Sequence, residues 1–194
     1  MSLLFPSLLD EALFWVVFLA ILVGLLWIEG FGARRFGERM GESDRRKYLA
    51  GTLSVLFLLG IFVWIGYARI GVLPDWLYFP GLALMIVGYV FTLWAFSILG
   101  RYFAPIARVR SDHVVIQKGP YRFIRHPMYT GQVLFFIGFG MALQSWVALL
   151  VILILTGILY TARIRSEEKL LVAKLGNEYV EYMKRTKRII PFLL

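Results

Sequence analysis

The chain has 194 residues, of which 60% are apolar or aromatic and 17% charged, with a mean hydropathy of +0.74. That balance excludes an ordinary soluble domain, where about half the residues are apolar and a quarter charged, and predicts an integral membrane protein. Cysteine is absent and histidine occurs twice, so a disulfide framework, a thiolate nucleophile and a zinc-thiolate site are excluded and a metal centre is not expected.

Long apolar runs predict five membrane spans in chain order: 12–28, 48–67, 76–99, 131–143 and 146–162. Met1 to Asp10 lacks a basic start, and the first apolar run is long enough to span, so no cleavable signal is expected there. Small residues in the first three spans, Ala20, Gly24, Gly60 and Gly88, would let helices approach closely. The last two runs are short. Gln144-Ser145 interrupts what would otherwise be one very long helix, which predicts a tight helical hairpin. The fold class expected is therefore all-α and polytopic, with a three-helix scaffold in 1–100. A cofactor-binding and catalytic region in 101–194 includes the hairpin 131–162, the whole forming one structural domain.

The net charge of +9 is explained by where the 21 basic residues fall. The first connection carries Arg34, Arg35, Arg39, Arg45, Arg46 and Lys47, and the third carries Arg101, Arg108, Arg110, Lys118, Arg122 and Arg125. The tail adds eight from Arg163 to Arg188, leaving only Arg69 elsewhere. The positive-inside rule then predicts an outside amino terminus and a cytoplasmic carboxyl terminus and active site. Basicity of this kind serves anionic lipid, so nucleic acid is not an expected partner.

Polar chemistry is concentrated after Arg101. His113 to Ile116 reads as a short extended run, and Gly119-Pro120 supplies a turn. Proline at 127 turns His126 away from helical geometry, which predicts a helix beginning at Pro127 with His126 as its entry residue. Its first amides would favour a carboxylate or another anion. Beyond the fifth span, Arg163, Glu167 and Leu171 share a helix face. Glu168 points elsewhere and is expected to pair with Arg165 or Lys169. Gly176-Asn177 predicts a helix end and a new start, with Asn177 as amino cap. Tyr179 and Tyr182 are read as interfacial belt residues that could also pack this second helix back. Arg122 and Arg125 are read as lipid-phosphate contacts as well as walls of the site.

The pattern Arg125-His126-Pro127-x-Tyr129-x-Gly131 resembles the isoprenylcysteine carboxyl methyltransferases, whose wider group includes phospholipid methyltransferases. His113 and Gly119-Pro120-Tyr121 precede it, and Glu167-Glu168-x-x-Leu171 and Gly176-x-x-Tyr179-x-x-Tyr182 follow. The resemblance covers about residues 105–192, and the short five-span layout is most similar to the prokaryotic members. It implies S-adenosylmethionine as cofactor and S-adenosylhomocysteine as product. The implied cofactor contacts are His113, Val114, Val115, Ile116, Tyr121, His126, Pro127, Met128, Tyr129 and Glu167. Arg163 falls where the family places a substrate-facing arginine, so the implied catalytic pair is Arg163 and Glu167. The implied partners are membrane lipids and a lipophilic or prenylated substrate; no metal is expected, and a monomer is one possible state of the chain.

Methyl transfer from a sulfonium requires alignment and exclusion of water, and needs neither metal nor covalent nucleophile. Glu167, the start of the 127 helix, Tyr121 or Tyr129, and Val114 to Ile116 offer the acid, amide, aromatic and apolar groups such a donor would meet. An arginine one turn from Glu167 suits an acceptor carboxylate. The acceptor could instead be a phospholipid amine. Two further readings stand beside this one: a reductase of sterol type using NADPH, and a small membrane scaffold or transporter. A transporter is disfavoured by the near absence of ionisable residues from the first three spans.

Overall fold

The computed structural model describes residues 7–35, 42–103 and 114–189. Six α-helices follow in order: α1 Leu8–Arg35, α2 Glu42–Tyr67, α3 Tyr78–Leu99, α4 Pro127–Ala142, α5 Trp146–Leu175 and α6 Asn177–Arg185. Among the described residues the protein is all-helical, apart from two isolated β-bridges. Among the described residues, four segments are long and apolar enough to cross a membrane: Leu8–Ile28, Leu49–Tyr67, Asp75–Tyr102 and Trp146–Leu175. Their outward side chains include Val23, Phe57, Trp64, Val87, Ile154 and Ile158, all exposed. A face of this composition is stable in lipid and costly in water.

The segment expected as the fourth span, 131–143, lies in α4, whose 16 residues reach only about 24 Å, less than the roughly 30 Å of a hydrocarbon core, and it is not among the four segments long enough to cross. It forms the predicted hairpin with α5 through Leu143, Gln144 and Ser145. Gln144 takes a positive φ of 52° in this turn, and the Ser145 hydroxyl accepts from the Ala148 amide to cap α5. The same turn is latched to the α2–α3 connection. Leu73 N–H donates to the Gln144 carbonyl at 2.7 Å and Trp146 N–H to that of Gly71 at 2.8 Å. The Ser145 hydroxyl donates to the Ile70 carbonyl, and the Gln144 amide donates to Asp75. The bend and its neighbouring loop therefore lie at one end of the bundle, with their polar groups satisfied.

Helices α3 and α4 run antiparallel with their backbones in contact. Gly88 lies against Gly131 and Phe135, and Gly81 against Gly138 and Ala142. A Cβ on Gly88 would fall 2.4 Å from the Phe135 nitrogen, and one on Gly138 would fall 2.5 Å from the Gly81 carbonyl oxygen. Each helix thus carries two glycines seven residues apart on the shared face, the small-residue packing by which helices associate without a hydrophobic driving force. Of the four small residues expected to permit close approach, Gly24 and Gly88 do so. Gly24 seats the Tyr89 phenol, whereas Gly60 has open space beside it and Ala20 is exposed. The apolar core fills the latched half, where Phe14, Phe18, Phe135 and Phe139 stack in a row across α1 and α4.

Gly131 sits against Gly88 and Thr92, while α3 continues seven residues beyond Thr92 to Leu99. That continuation is about 10 Å, against about 6 Å from Gly131 back to Pro127. The amino end of α4 is therefore recessed by about one turn relative to the end of α3. Helix α5, with 30 residues, is about 45 Å long and overshoots the hydrocarbon by about 15 Å. Its extension stands beside the recess.

Candidate functional site

The recess is floored by the start of α4. Lys118 is extended, Gly119 has φ 54°, and Gly119–Arg122 forms a 3-10 turn. His126 takes the amino-cap position with φ −123° and ψ 58°, and Pro127 occupies the first helical position as the sequence predicts. Proline has no N–H to lose there, and the Met128 and Tyr129 amides in this first turn have no intrahelical acceptor. Both His126 and Pro127 are buried, and Met128 and Tyr129 are half-buried.

Helix α5 brings its charged turn against this floor. Arg163 and Glu167 lie one turn apart, with Arg163 Nε 3.0 Å from Glu167 Oε1. The Tyr129 hydroxyl donates to the same Glu167 oxygen at 2.7 Å and accepts from Arg163 Nε at 2.6 Å. Its ring lies 4.9 Å from that of Tyr160 and 5.8 Å from that of His126. A phenol is neutral at physiological pH, so Tyr129 acts here as a hydroxyl donor. The Arg163 side chain is 43% exposed and that of Glu167 21%, so the trio opens outward rather than into the core.

Glu168 turns to the other side and is buried. Arg125 Nε donates to its Oε1 at 2.8 Å, and Arg188 contacts its Oε2 through Nε and Nη2, each at 3.1 Å. The expected partners Arg165 and Lys169 are exposed. They are replaced by arginines distant in sequence, because the α5 face carrying Glu168 looks inward onto the 123–126 segment. Arg125 is not a lipid contact. Its side chain is 8% exposed and also donates to the Met183 carbonyl at 3.0 Å and to that of Thr186. The His126 ring lies between the two acids, with Nδ1 3.8 Å from Glu167 Oε2 and Nε2 3.5 Å from Glu168 Oε1. His126 Nε2 is buried without a hydrogen-bond partner.

Helix α6 closes the far side. Gly176, with φ 59°, ends α5 and is also the amino-cap position of α6, so the break falls where expected but Asn177 is the first helical residue rather than the cap. Tyr179 and Tyr182 are buried rather than interfacial. The Tyr182 hydroxyl donates to the Tyr121 carbonyl at 2.7 Å, fixing the 3-10 turn. Burial raises the phenols of Tyr121, Tyr179 and Tyr182.

Of the residues expected at the site, His126, Pro127, Tyr129, Arg163 and Glu167 converge, and Tyr121 is buried near enough to feel the Glu167 charge. Met128 lies in the same first turn of α4. Val114 is about half exposed, Val115 and Ile116 are half-buried, and none of the three joins the hydrogen-bonded cluster. His113 lies outside the described residues, as do Arg39, Arg108 and Arg110. Glu168, Arg125 and Arg188 were not expected as a unit. The adjacent acids at 167–168 and the arginine before His126 were visible signals, but nothing local to either names a partner 43 residues away.

Taken together, fold and cluster define a polytopic helical membrane protein with a polar site at the buried end of a short hairpin helix. Residues 81–173, which contain the glycine-packed pair and most of the cluster, match the isoprenylcysteine carboxyl methyltransferase (ICMT) family.

Relatives agree. The chain is 32% identical over 115 residues to the protein-S-isoprenylcysteine O-methyltransferase of Saccharomyces cerevisiae, covering 58% of this chain and 48% of the relative. It is 28% identical over 120 residues to protein-S-isoprenylcysteine O-methyltransferase B of Arabidopsis thaliana, covering 61% of each. The chain therefore spans about half to three-fifths of the length of these relatives. Among solved structures, a eukaryotic intramembrane Ras methyltransferase ICMT superposes with a TM-score of 0.63 at 23% identity, over 89% of this chain and 64% of that one. At that identity the likeness establishes the fold.

Proposed function

We propose that the chain is an integral membrane methyltransferase that moves a methyl group from S-adenosylmethionine to a lipophilic carboxylate of isoprenylcysteine type. The observation that carries this reading is the joint of Tyr129, Arg163 and Glu167 beside the buried His126 Nε2, which makes no hydrogen bond, all of it inside the segment that matches the family. A buried imidazole nitrogen that makes no hydrogen bond, with its nearest carboxylate oxygen 3.5 Å away, costs free energy unless a ligand supplies one. Open amides at the start of α4 suit a ligand carboxylate, Glu167 suits an ammonium, and the tyrosine rings suit a sulfonium. The residues present fit the donor.

S-adenosylmethionine, when bound, supplies a methyl carbon made electrophilic by its sulfonium. His126, Tyr121, Pro127, Met128, Tyr129 and Glu167, with Val114 to Ile116 and His113, are assigned to holding it. Arg163 orients the acceptor carboxylate, and Glu167 and Tyr129 hold that guanidinium in place. A carboxylate is already ionised at neutral pH, so no residue has to remove a proton before attack. An amine acceptor would have to be neutral to attack, and Arg163 offers it no directional contact. The chemistry of Arg163 thus favours ester formation over N-methylation.

In the bilayer, α4 makes a fifth crossing within its hairpin, with Arg163, Glu167 and the carboxyl terminus on the cytoplasmic side and the amino terminus outside. Residues 1–100 act as scaffold and 101–194 as the catalytic part. The acceptor's apolar chain reaches the recess sideways, since each methylene left in lipid contributes about 0.8 kcal/mol. Purified protein incubated with radiolabelled S-adenosylmethionine, prenylcysteine analogues and membrane lipids tests the reading. Label is expected in base-labile methyl esters of the prenylcysteine. Label confined to phospholipid amines, or no transfer, overturns it.

A further inference from the structure

Residues 186–189, which follow α6, are bound into the site. Thr186 to Ile189 run alongside 123–126 as a short parallel strap. Arg125 N–H donates to the Lys187 carbonyl at 2.7 Å, His126 N–H to that of Arg188 at 3.0 Å, and Lys187 N–H to that of Phe123 at 3.1 Å. One turn into α4, the Thr130 hydroxyl donates to the Ile189 carbonyl at 2.6 Å. The strap is thus fastened on both sides of His126. From it, Arg188 places Nε and Nη2 on one Glu168 oxygen, while Arg125 holds the other oxygen. The second oxygen is the one 3.5 Å from His126 Nε2.

A carboxylate with one cation on each oxygen has a fixed plane, because two-sided contacts from planar guanidinium groups are directional. Arg125 alone would leave Oε2 without a partner and the carboxyl free to rotate about its own bond. Glu168 forms the wall against which the His126 ring rests, and that ring has no hydrogen bond of its own at Nε2.

We infer that Arg188 is a positioning residue: acting through Glu168, it holds the His126 imidazole at the amino end of α4, so the site is incomplete without the terminal strap. Arg188 lies beyond residues 81–173, so the matched segment alone does not contain the whole device. The inference rests on the proposed reading of His126 as a cofactor contact.

Two measurements on the full chain test it. The first is calorimetric binding of S-adenosylhomocysteine to wild type, Arg188→Ala, Arg188→Lys, His126→Ala and the Arg188→Ala/His126→Ala double variant. Arg188→Ala is expected to weaken binding roughly tenfold, as loss of a group that orients a ligand-contacting histidine does. Arg188→Lys recovers part of this, KM for the donor rises, and kcat at saturating donor stays within about twofold. The Arg188 effect largely disappears when His126 is already alanine, because only coupled residues are non-additive. Unchanged affinity in Arg188→Ala, or an undiminished effect in the His126→Ala background, overturns the inference and leaves Arg188 a purely structural residue.

The second measurement needs no cofactor. The chain has two histidines, so ring resonances of histidine-labelled protein can be assigned with a His113→Gln variant. The His126 signals are expected to move in Arg188→Ala and to return partly in Arg188→Lys. Signals that stay in place overturn the inference, whatever binds. If they move but wild type fails to bind S-adenosylhomocysteine, the positioning stands and the methyltransferase reading falls.

Discussion

Glu167 and Glu168 are adjacent in sequence yet do different work, because successive helical residues point about 100° apart. Glu167 shares its oxygen with Tyr129 and Arg163 at the open face, and Glu168 is buried between two arginines. A hydrogen bond to a charged group contributes about 1.5–3 kcal/mol, so removing one is worth about one to two orders of magnitude. Glu167→Ala and His126→Ala are therefore expected to weaken S-adenosylhomocysteine binding by at least about tenfold, measured by calorimetry. Arg163→Ala is expected to lower turnover by a similar factor while leaving that affinity nearly intact. Equal affinities across all three would contradict the assignment. Glu168→Ala leaves Arg125 buried without its carboxylate, which costs about 3–5 kcal/mol of stability and should appear as a large drop in melting temperature. The motif around His126 and the Arg163–Glu167 spacing were legible because both are local patterns. The role of Glu168 was not, since its partners come from 43 residues before it and 20 after it.

Helix starts and stops were readable where proline and glycine leave few alternatives. Pro127 begins α4, Gly176 ends α5, and the polar pair at 144–145 marks the hairpin. Pairing between helices was less readable, because spans rich in glycine offer several small faces and sequence does not say which are used. Gly88 is used and Gly60 is not. Gly88→Val is expected to force α3 and α4 apart at an overpacking cost of about 1–3 kcal/mol or more. Gly60→Ala, entering open space, should be neutral within about 0.5 kcal/mol. Thermal melting in one detergent compares the two. If Gly88→Val melts with wild type, the close backbone contact is not made. Gly176→Ala places a side chain at φ 59°, a strain of about 1–2 kcal/mol. It should loosen α6 against Tyr121, seen as faster amide exchange across 179–182.

For the molecule as a whole, composition announced a membrane protein, and the distribution of basic residues is what the proposed orientation rests on. The number of crossings is harder to read, because four described segments are long and apolar enough to cross and the 16-residue α4 is not one of them. The absence of cysteine makes orientation directly measurable. In sealed vesicles, Arg69→Cys is expected to react with a membrane-impermeant maleimide from the side of the amino terminus, and Lys184→Cys from the opposite side. Reaction of both from one side would refute a fifth crossing by α4. The brevity of that helix also bears on the surrounding bilayer. A hydrophobic element several ångströms shorter than the local hydrocarbon is accommodated by thinning of the adjacent lipid, at a fraction of a kcal/mol per ångström. The leaflet next to His126 should accordingly dimple toward the protein and carry polar lipid ends down to the level of Arg163. A thicker membrane resists that dimple, so on the proposed reading acyl-chain length becomes a dial on how readily an anchored carboxylate meets the Arg163 guanidinium.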